Sequence, residues 1–120
     1  MKVLIVDDST AMRMLVKRTL KQAGFDGLDI VEAADGAQAL EVVDDALPAL
    51  ILCDWNMPNM SGMEFLEALR ESGNTAKFGF VTTESTAEMR ARARDAGAAF
   101  LIAKPFTAES FEKTLRPIIG

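Results

Sequence analysis

Asp7, Asp8, Asp54, Thr82 and Lys104 are the residues whose types and positions could do chemistry together. Asp7 and Asp8 close the run Lys2-Val3-Leu4-Ile5-Val6, and Asp54 closes Ala49-Leu50-Ile51-Leu52-Cys53. Thr82 follows Phe78–Val81, and Lys104 closes Ala99–Ala103 just before Pro105. If these apolar runs are neighbouring parallel strands, all five side chains meet at one edge of one sheet. Carboxylates crowded together repel, and burying them costs several kcal/mol per ion unless something compensates. A divalent cation and a phosphoryl group are the natural compensation. Magnesium takes one or two carboxylates plus phosphate oxygens and water. Asp7, Asp8 and Asp54 offer such ligands, and a backbone carbonyl just after Asp54 can add one more. A carboxylate can also act as a nucleophile and form an acyl phosphate. Lys104, the cation and the Thr82 hydroxyl would then each cover one equatorial phosphoryl oxygen.

Taken singly, each residue has a plainer reading. Asp8-Ser9 can be a helix cap with an acidic first turn, Asp54 a turn residue, Lys104 a solvated loop lysine, and Thr82-Thr83 a cap. No capping argument, however, gathers all of them at strand ends of one sheet.

The elements that must position them alternate strictly. Val3–Val6 reads as a buried strand. Residues 10–23 read as a helix, with Met12, Leu15, Val16, Thr19, Leu20 and Ala23 on one stripe, Ser9 as its N-cap and Gly24 as its stop. Leu28–Ala33 looks like an edge strand, and Gly36–Asp45 like a helix that Pro48 forbids to continue. Leu50–Cys53 is another buried run. Ser61-Gly62-Met63-Glu64 and Ser85-Thr86-Ala87-Glu88 both match a capping box. They open helices to about Glu71 and to the stop at Gly97. Phe78–Val81 and Ala99–Ala103 are strands, and Thr107 caps a last helix with Ala108, Phe111, Leu115 and Ile118 on one face. Five strands alternating with five helices predict a doubly wound α/β fold: a parallel sheet with helices on both faces and right-handed crossovers. Ligands of such sheets bind beyond the carboxyl ends of the strands. The helix over residues 87–96 is alanine-rich, carries Arg90, Arg92 and Arg94, and has little apolar bulk. Its composition reads first as a solvated helix of good propensity, though weakly packed elements are also the ones that move.

Composition removes whole classes of function. The 120 residues fit one domain, 1–120, and 49% hydrophobic residues suffice for a core. A net charge of −5 argues against direct nucleic-acid binding. With no histidine and no tyrosine, Ser-His-Asp and Cys-His mechanisms are impossible. The lone Cys53 lies in an apolar run and reads as a small buried residue of a reducing compartment. Met1-Lys2 leads into an apolar stretch too short for a signal peptide, and no window has the length of a membrane span. A cytoplasmic protein without membrane insertion is expected.

The segments Val6-Asp7-Asp8-Ser9, Asp54-Trp55-Asn56-Met57-Pro58-Asn59-Met60-Ser61-Gly62, Val81-Thr82 and Lys104-Pro105-Phe106 together resemble the receiver domain of two-component response regulators. The resemblance covers the whole chain in order and spacing. Its Asp54–Gly62 stretch and its tail are most similar to single-domain chemotaxis regulators of the CheY type. That likeness implies a flavodoxin-like sheet of order 2-1-3-4-5, for which CheY is itself a standard example. It implies Asp54 as the phosphoacceptor, taking a phosphoryl group from a phosphohistidine on a sensor histidine kinase. Asp7, Asp8, Asp54 and the backbone carbonyl of Asn56 would hold Mg²⁺, with Asp8 the more direct of the first pair; Mn²⁺ could substitute. Thr82 would swing toward the phosphoryl group, Lys104 would pair with it, and the Lys104–Pro105 peptide would be cis. Asn56 and Glu84 would flank the attacking water and set phosphate lifetime.

The implied function is a monomeric phosphorylation switch, not an enzyme beyond its own phosphotransfer and slow autodephosphorylation. It would control a protein partner through the face around residues 87–103 and the last helix. Chemotaxis or motility, and the flagellar motor switch, are the process and target the likeness points to. One departure stands out: the family pattern has an aromatic three positions before the lysine, where this chain has Leu101. Phe100 is one residue early and, by alternation, faces the other side as core packing. The phosphorylation chemistry is expected to survive this change; output through an aromatic rotamer is not.

Two alternatives come from other classes. A small Mg²⁺-dependent aspartyl phosphatase would use Asp54 as nucleophile but has no cap domain to select a substrate. A flavin- or nucleotide-binding protein of this fold would need a glycine-rich loop where Asp7-Asp8-Ser9 stands. The chain can be a stand-alone regulator or an isolated receiver domain of a larger one; the CheY-like stretch favours the former.

Overall fold

The computed structural model describes residues 1–119. Its elements run β1 (Lys2–Val6), α1 (Thr10–Gln22), β2 (Asp29–Ala33), α2 (Gly36–Ala46), β3 (Leu50–Cys53), α3 (Gly62–Glu71), β4 (Lys77–Thr82), α4 (Ala87–Asp95), β5 (Phe100–Ala103) and α5 (Ala108–Ile119). The strands form one parallel sheet in the order β2-β1-β3-β4-β5, the flavodoxin-like order expected. Alternation along each strand builds two apolar layers. On one face Leu4, Val6, Ile51, Cys53, Phe78, Phe80 and Leu101 meet Ala39, Val43, Phe65, Leu66, Leu69 and Ala93 of α2, α3 and α4. On the other, Val3, Ile5, Leu50, Leu52, Val81 and Ile102 meet Val16, Leu20, Phe111 and Leu115 of α1 and α5. The central strands β1 and β3 are buried on both faces, which is why they read as unbroken apolar runs.

Phe100 packs on the α1/α5 face and Leu101 on the other, as strand alternation requires. The Phe100 ring fills the space where a side chain on Gly79 would stand: a Cβ there would come within 1.9 Å of it. Gly79 thus serves as the floor for the one aromatic ring of β5.

Three expectations need correction. Leu15 does not lie on the buried stripe of α1: it is 42% exposed, beside Met14 at 55%. The stripe is narrower, centred on Val16, Leu20 and Ala23, and Leu15 sits one residue, about 100° of rotation, off that line. Thr19 is buried within the stripe by donating its hydroxyl to the Leu15 carbonyl at 2.8 Å. The second capping box does not form, because Thr86 rather than Ser85 is the N-cap of α4. Its hydroxyl accepts from Met89 N–H at 3.2 Å, which puts Glu88 one position too early to reach back. Element ends shift as well. α1 stops at Gln22, β2 begins at Asp29, α2 runs to Ala46, β4 extends over Lys77–Thr82, α4 ends at Asp95 and β5 begins at Phe100. The Ser61 capping box forms in both directions, Ser9 caps α1, and Thr107 caps α5 by accepting from Ser110 N–H. Gly24 (φ 95°) and Gly97 (φ 105°) end their helices in the left-handed region that glycine enters freely. No helix of the described residues is long and apolar enough to cross a membrane.

Candidate functional site

Parallel pairing of β1 with β3, Val6 opposite Cys53, sets Asp7 and Asp54 side by side just beyond the strand ends. The backbone continues that alignment: Asp7 N–H donates to Ala33 C=O at 3.1 Å and Asp54 N–H to Val6 C=O at 2.9 Å. Asp7 is 5% exposed. One of its carboxylate oxygens accepts the Ser9 N–H at 2.9 Å, and its carbonyl accepts the Arg13 guanidinium. Arg13 also holds Glu32 at 2.9 Å, so it ties the β1 exit loop to β2. Asp8 is exposed at the mouth.

Lys104 arrives from β5. Its N–H donates to Thr82 C=O at 2.9 Å, and the peptide that follows is cis, as expected. Its ammonium lies 3.1 Å from Asp7 Oδ2 and 3.5 Å from Asp54 Oδ2, with only 14% of the side chain exposed. One half-buried cation thus bridges a buried and a half-buried carboxylate. Thr82 is fully buried. Its hydroxyl accepts the Glu84 N–H at 3.2 Å and lies near enough to the Asp54 carboxylate to favour its charged form. At the mouth, the Asn56 side-chain amide donates to Glu84 Oε1 at 3.0 Å.

The loop after Asp54 turns back tightly. Gly62 N–H donates to Trp55 C=O at 2.8 Å, and a Cβ on Gly62 would stand 2.1 Å from the Asp54 carbonyl oxygen. Only glycine lets α3 begin so close to the candidate site. Trp55 N–H donates to Asp54 Oδ1 at 2.7 Å. The indole stacks on Phe80 at 4.6 Å and lies under the Arg92 guanidinium at 5.6 Å.

The electrostatics follow from this packing. Burial raises the Asp54 carboxyl above its ordinary range; Lys104 pulls it back, Asp7 pushes it up again, and the Trp55 N–H and Thr82 hydroxyl lower it. Burial, with Asp54 and Asp7 adding to it, raises the Cys53 thiol well above its ordinary range, and the thiol points at the Asp54 carbonyl at 3.1 Å. A thiol so held is neither nucleophile nor metal ligand, in keeping with its reading as a small buried residue.

Asp7, Asp8 and Asp54 each place one carboxylate oxygen within 4.8 Å of the others. An all-oxygen donor set with one buried, one half-buried and one exposed member fits a hard divalent cation that keeps part of its water. Burial is the first cause of the raised Asp54 carboxyl, and a bound cation would offset that cost. Every residue singled out from the sequence (Asp7, Asp8, Asp54, Asn56, Thr82, Glu84 and Lys104) therefore falls at this one rim. Arg13 was not singled out from the sequence, and Gly62 and Arg92 were named there without these contacts. Gly62 left a visible signal, a glycine in the first turn of a capped helix, where it costs stability unless close approach demands it.

The family model described as "Response regulator receiver domain" matches residues 3–116. The probable chemotaxis protein CheY of Rhizobium etli is 37% identical over 121 residues, covering 99% of this chain and 92% of that protein. The chemotaxis protein CheY1 of Helicobacter pylori is 34% identical over 123 residues, covering 100% and 98%. Among solved structures, the chemotaxis response regulator CheY4 of Vibrio cholerae superimposes with a TM-score of 0.86 at 37% identity, covering 98% of each chain.

Proposed function

The chain belongs to the response regulator receiver domain family, and from that premise we propose that it is a signalling switch that accepts a phosphoryl group on Asp54. A sensor histidine kinase is the proposed donor. An Asp54 carboxylate oxygen attacks phosphorus, an O–P bond forms, the P–N bond to the donor imidazole breaks, and the imidazole leaves with its electron pair and takes up a proton. The observation that carries this reading is the Lys104 ammonium held 3.1 and 3.5 Å from Asp7 and Asp54 inside a cluster of three carboxylates. That arrangement is costly as a structural device, and phosphoryl transfer needs it.

Each neighbour has a task. Lys104 is placed to leave Asp54 and pair with a phosphoryl oxygen once the carboxylate is esterified. The Thr82 hydroxyl, buried at the end of β4 near the Asp54 carboxylate, can donate to a second oxygen. Asp7, Asp8, Asp54 and the Asn56 carbonyl would hold Mg²⁺, or Mn²⁺ in its place; when bound, the cation supplies the positive charge that lets a dianionic phosphoryl group approach. Asn56 and Glu84, joined at the mouth, flank the path of the water that hydrolyses the acyl phosphate and so set its lifetime. The protein then turns over only its own phosphoryl group. Its curated relatives are chemotaxis proteins, and we extend that to a cytoplasmic, monomeric regulator of motility whose phosphorylated form binds a protein target such as the flagellar motor switch.

The test is labelling with acetyl phosphate. The wild type is expected to gain one phosphoryl group only when Mg²⁺ is present, and Asp54→Ala to gain none while keeping its fold. Undiminished labelling of Asp54→Ala would overturn the assignment.

A further inference from the structure

The loop that carries Thr82 and Glu84 is held to β5 by a single arginine. Arg90, one turn into α4, donates from Nε to the Ser85 carbonyl and from Nη1 to the Leu101 carbonyl, each at 3.2 Å. One guanidinium thus joins the segment after Thr82 to the edge strand three residues before Lys104. The segment is fixed at its other end by the candidate site itself: the Thr82 hydroxyl accepts the Glu84 N–H, and the Glu84 carboxylate accepts the side-chain amide of Asn56, two residues after Asp54. The helix that carries Arg90 is lightly held: among its residues only Ala93 is buried. A helix with so few apolar contacts can shift at little cost. Beside it, Ala93, Ala98, Phe100 and Leu101 line a shallow cleft of about 200 Å³ with Arg90 and Arg94 at its edge. Leu101 and Ala93 share the apolar cluster between β5 and α4, and this polar strap lies beside it.

We propose that Arg90 is the positioning residue that transmits the state of Asp54 to α4 and β5, in place of an aromatic side chain at position 101. The inference rests on Asp54 being the phosphoacceptor. A phosphoryl group on Asp54 draws the Thr82 hydroxyl onto a new oxygen. The Glu84 N–H and the Ser85 carbonyl move with it, and the guanidinium on Ser85 carries that movement to Leu101 and to its own helix. The geometry calls for arginine in particular. Two nitrogens of one rigid plane reach two carbonyls that are 16 residues apart in the chain, at Ser85 and Leu101, and the single ammonium of a lysine cannot reproduce that fork.

The experiment follows backbone amide shifts in the full chain on adding beryllofluoride with Mg²⁺, for wild type, Arg90→Ala and Arg90→Lys. In the wild type, amides of 83–85 and amides of 101–102 are both expected to shift. In Arg90→Ala the first group should shift as in the wild type, and the second by less than half as much. Arg90→Lys, which keeps the charge and most of the stem, should behave like alanine and carries the test if the alanine variant does not fold. A wild-type response at 101–102 in either variant overturns the proposal. A wild type in which neither group responds defeats the phosphoacceptor reading beneath it, which is a different failure and is recognised without any variant.

Discussion

Replacing Asp54 with asparagine should make the resting protein more stable at neutral pH. With an effective dielectric near 20, a lysine 3.5 Å away attracts the Asp54 carboxylate by about 5 kcal/mol. Asp7, with an oxygen within 4.8 Å, repels it by about 3.5 kcal/mol on the same scale. Asp8 adds to the repulsion, but it is exposed and water screens it. The charge terms therefore nearly cancel, and the balance falls to desolvation, which costs several kcal/mol per buried ion. The Trp55 N–H and Thr82 hydroxyl return part of that cost, and the asparagine carbonyl can keep the first of these bonds. A net gain of about 1–2 kcal/mol for Asp54→Asn is expected from these opposing contributions.

The sign of the pH dependence is fixed by the raised carboxyl. A folded value above the unfolded value near 3.8 means that Asp54 favours the fold when protonated and loses that contribution as pH rises through the folded value. The gap between the variant and the wild type should be widest at neutral pH and should close as the pH falls below 3.8. Urea unfolding of both proteins across pH, without Mg²⁺, measures it; the slopes should match and only the midpoints should differ. Mg²⁺ at 100 times its dissociation constant should raise wild-type stability by about 2.7 kcal/mol and raise the variant less. An Asp54→Asn protein equal to or weaker than the wild type at neutral pH would refute this balance, as would a gap that does not change with pH.

Lys104→Met should act in the opposite direction. It strands the Asp7 and Asp54 carboxylates, and unfolding at neutral pH should show a loss of about 3 kcal/mol, with Mg²⁺ restoring part of it. Gly62→Ala places a Cβ against the Asp54 carbonyl and 3.0 Å from the Phe80 ring, so it should cost about 3 kcal/mol and slow acetyl phosphate labelling; wild-type stability would contradict the close approach. Glu84→Ala frees the Asn56 amide and opens the mouth, so phosphate loss should quicken about threefold, a barrier change under ~1 kcal/mol. Decay followed by intact mass would contradict this if the rate fell or did not change.

The sheet was legible because its central strands are buried on both faces and read as apolar runs, and because the charged residues mark where those runs end. Helix starts were legible where one hydroxyl stood alone before a helix, as at Ser61 and Thr107. At Ser85-Thr86 two hydroxyls compete, and the cap went to Thr86, with the Ser85 carbonyl taken by Arg90. Leu15 misled because an amphipathic stripe drawn from periodicity has no sharp edge; its width is set by what packs against it. The residue types of the site were readable, but their pairing was not. That one lysine serves both Asp7 and Asp54, or that Thr82 stands near Asp54, depends on the register of β4 against β3 and β5, with Cys53 opposite Phe80 and Thr82 opposite Ala103. Alternation along a strand cannot supply that register. Arg90 was visible only as one of three arginines in a lightly packed helix, where an arginine is ordinarily a solvated one.

Borohydride reduction of the acetyl phosphate-treated protein addresses the main proposition at a single atom, because an acyl phosphate is reduced to an alcohol and an aspartate so marked becomes homoserine. Peptide mapping should find homoserine at position 54, in the presence of Mg²⁺ and not after its chelation. Homoserine at any other aspartate, or none anywhere under conditions that label the protein, would contradict the account.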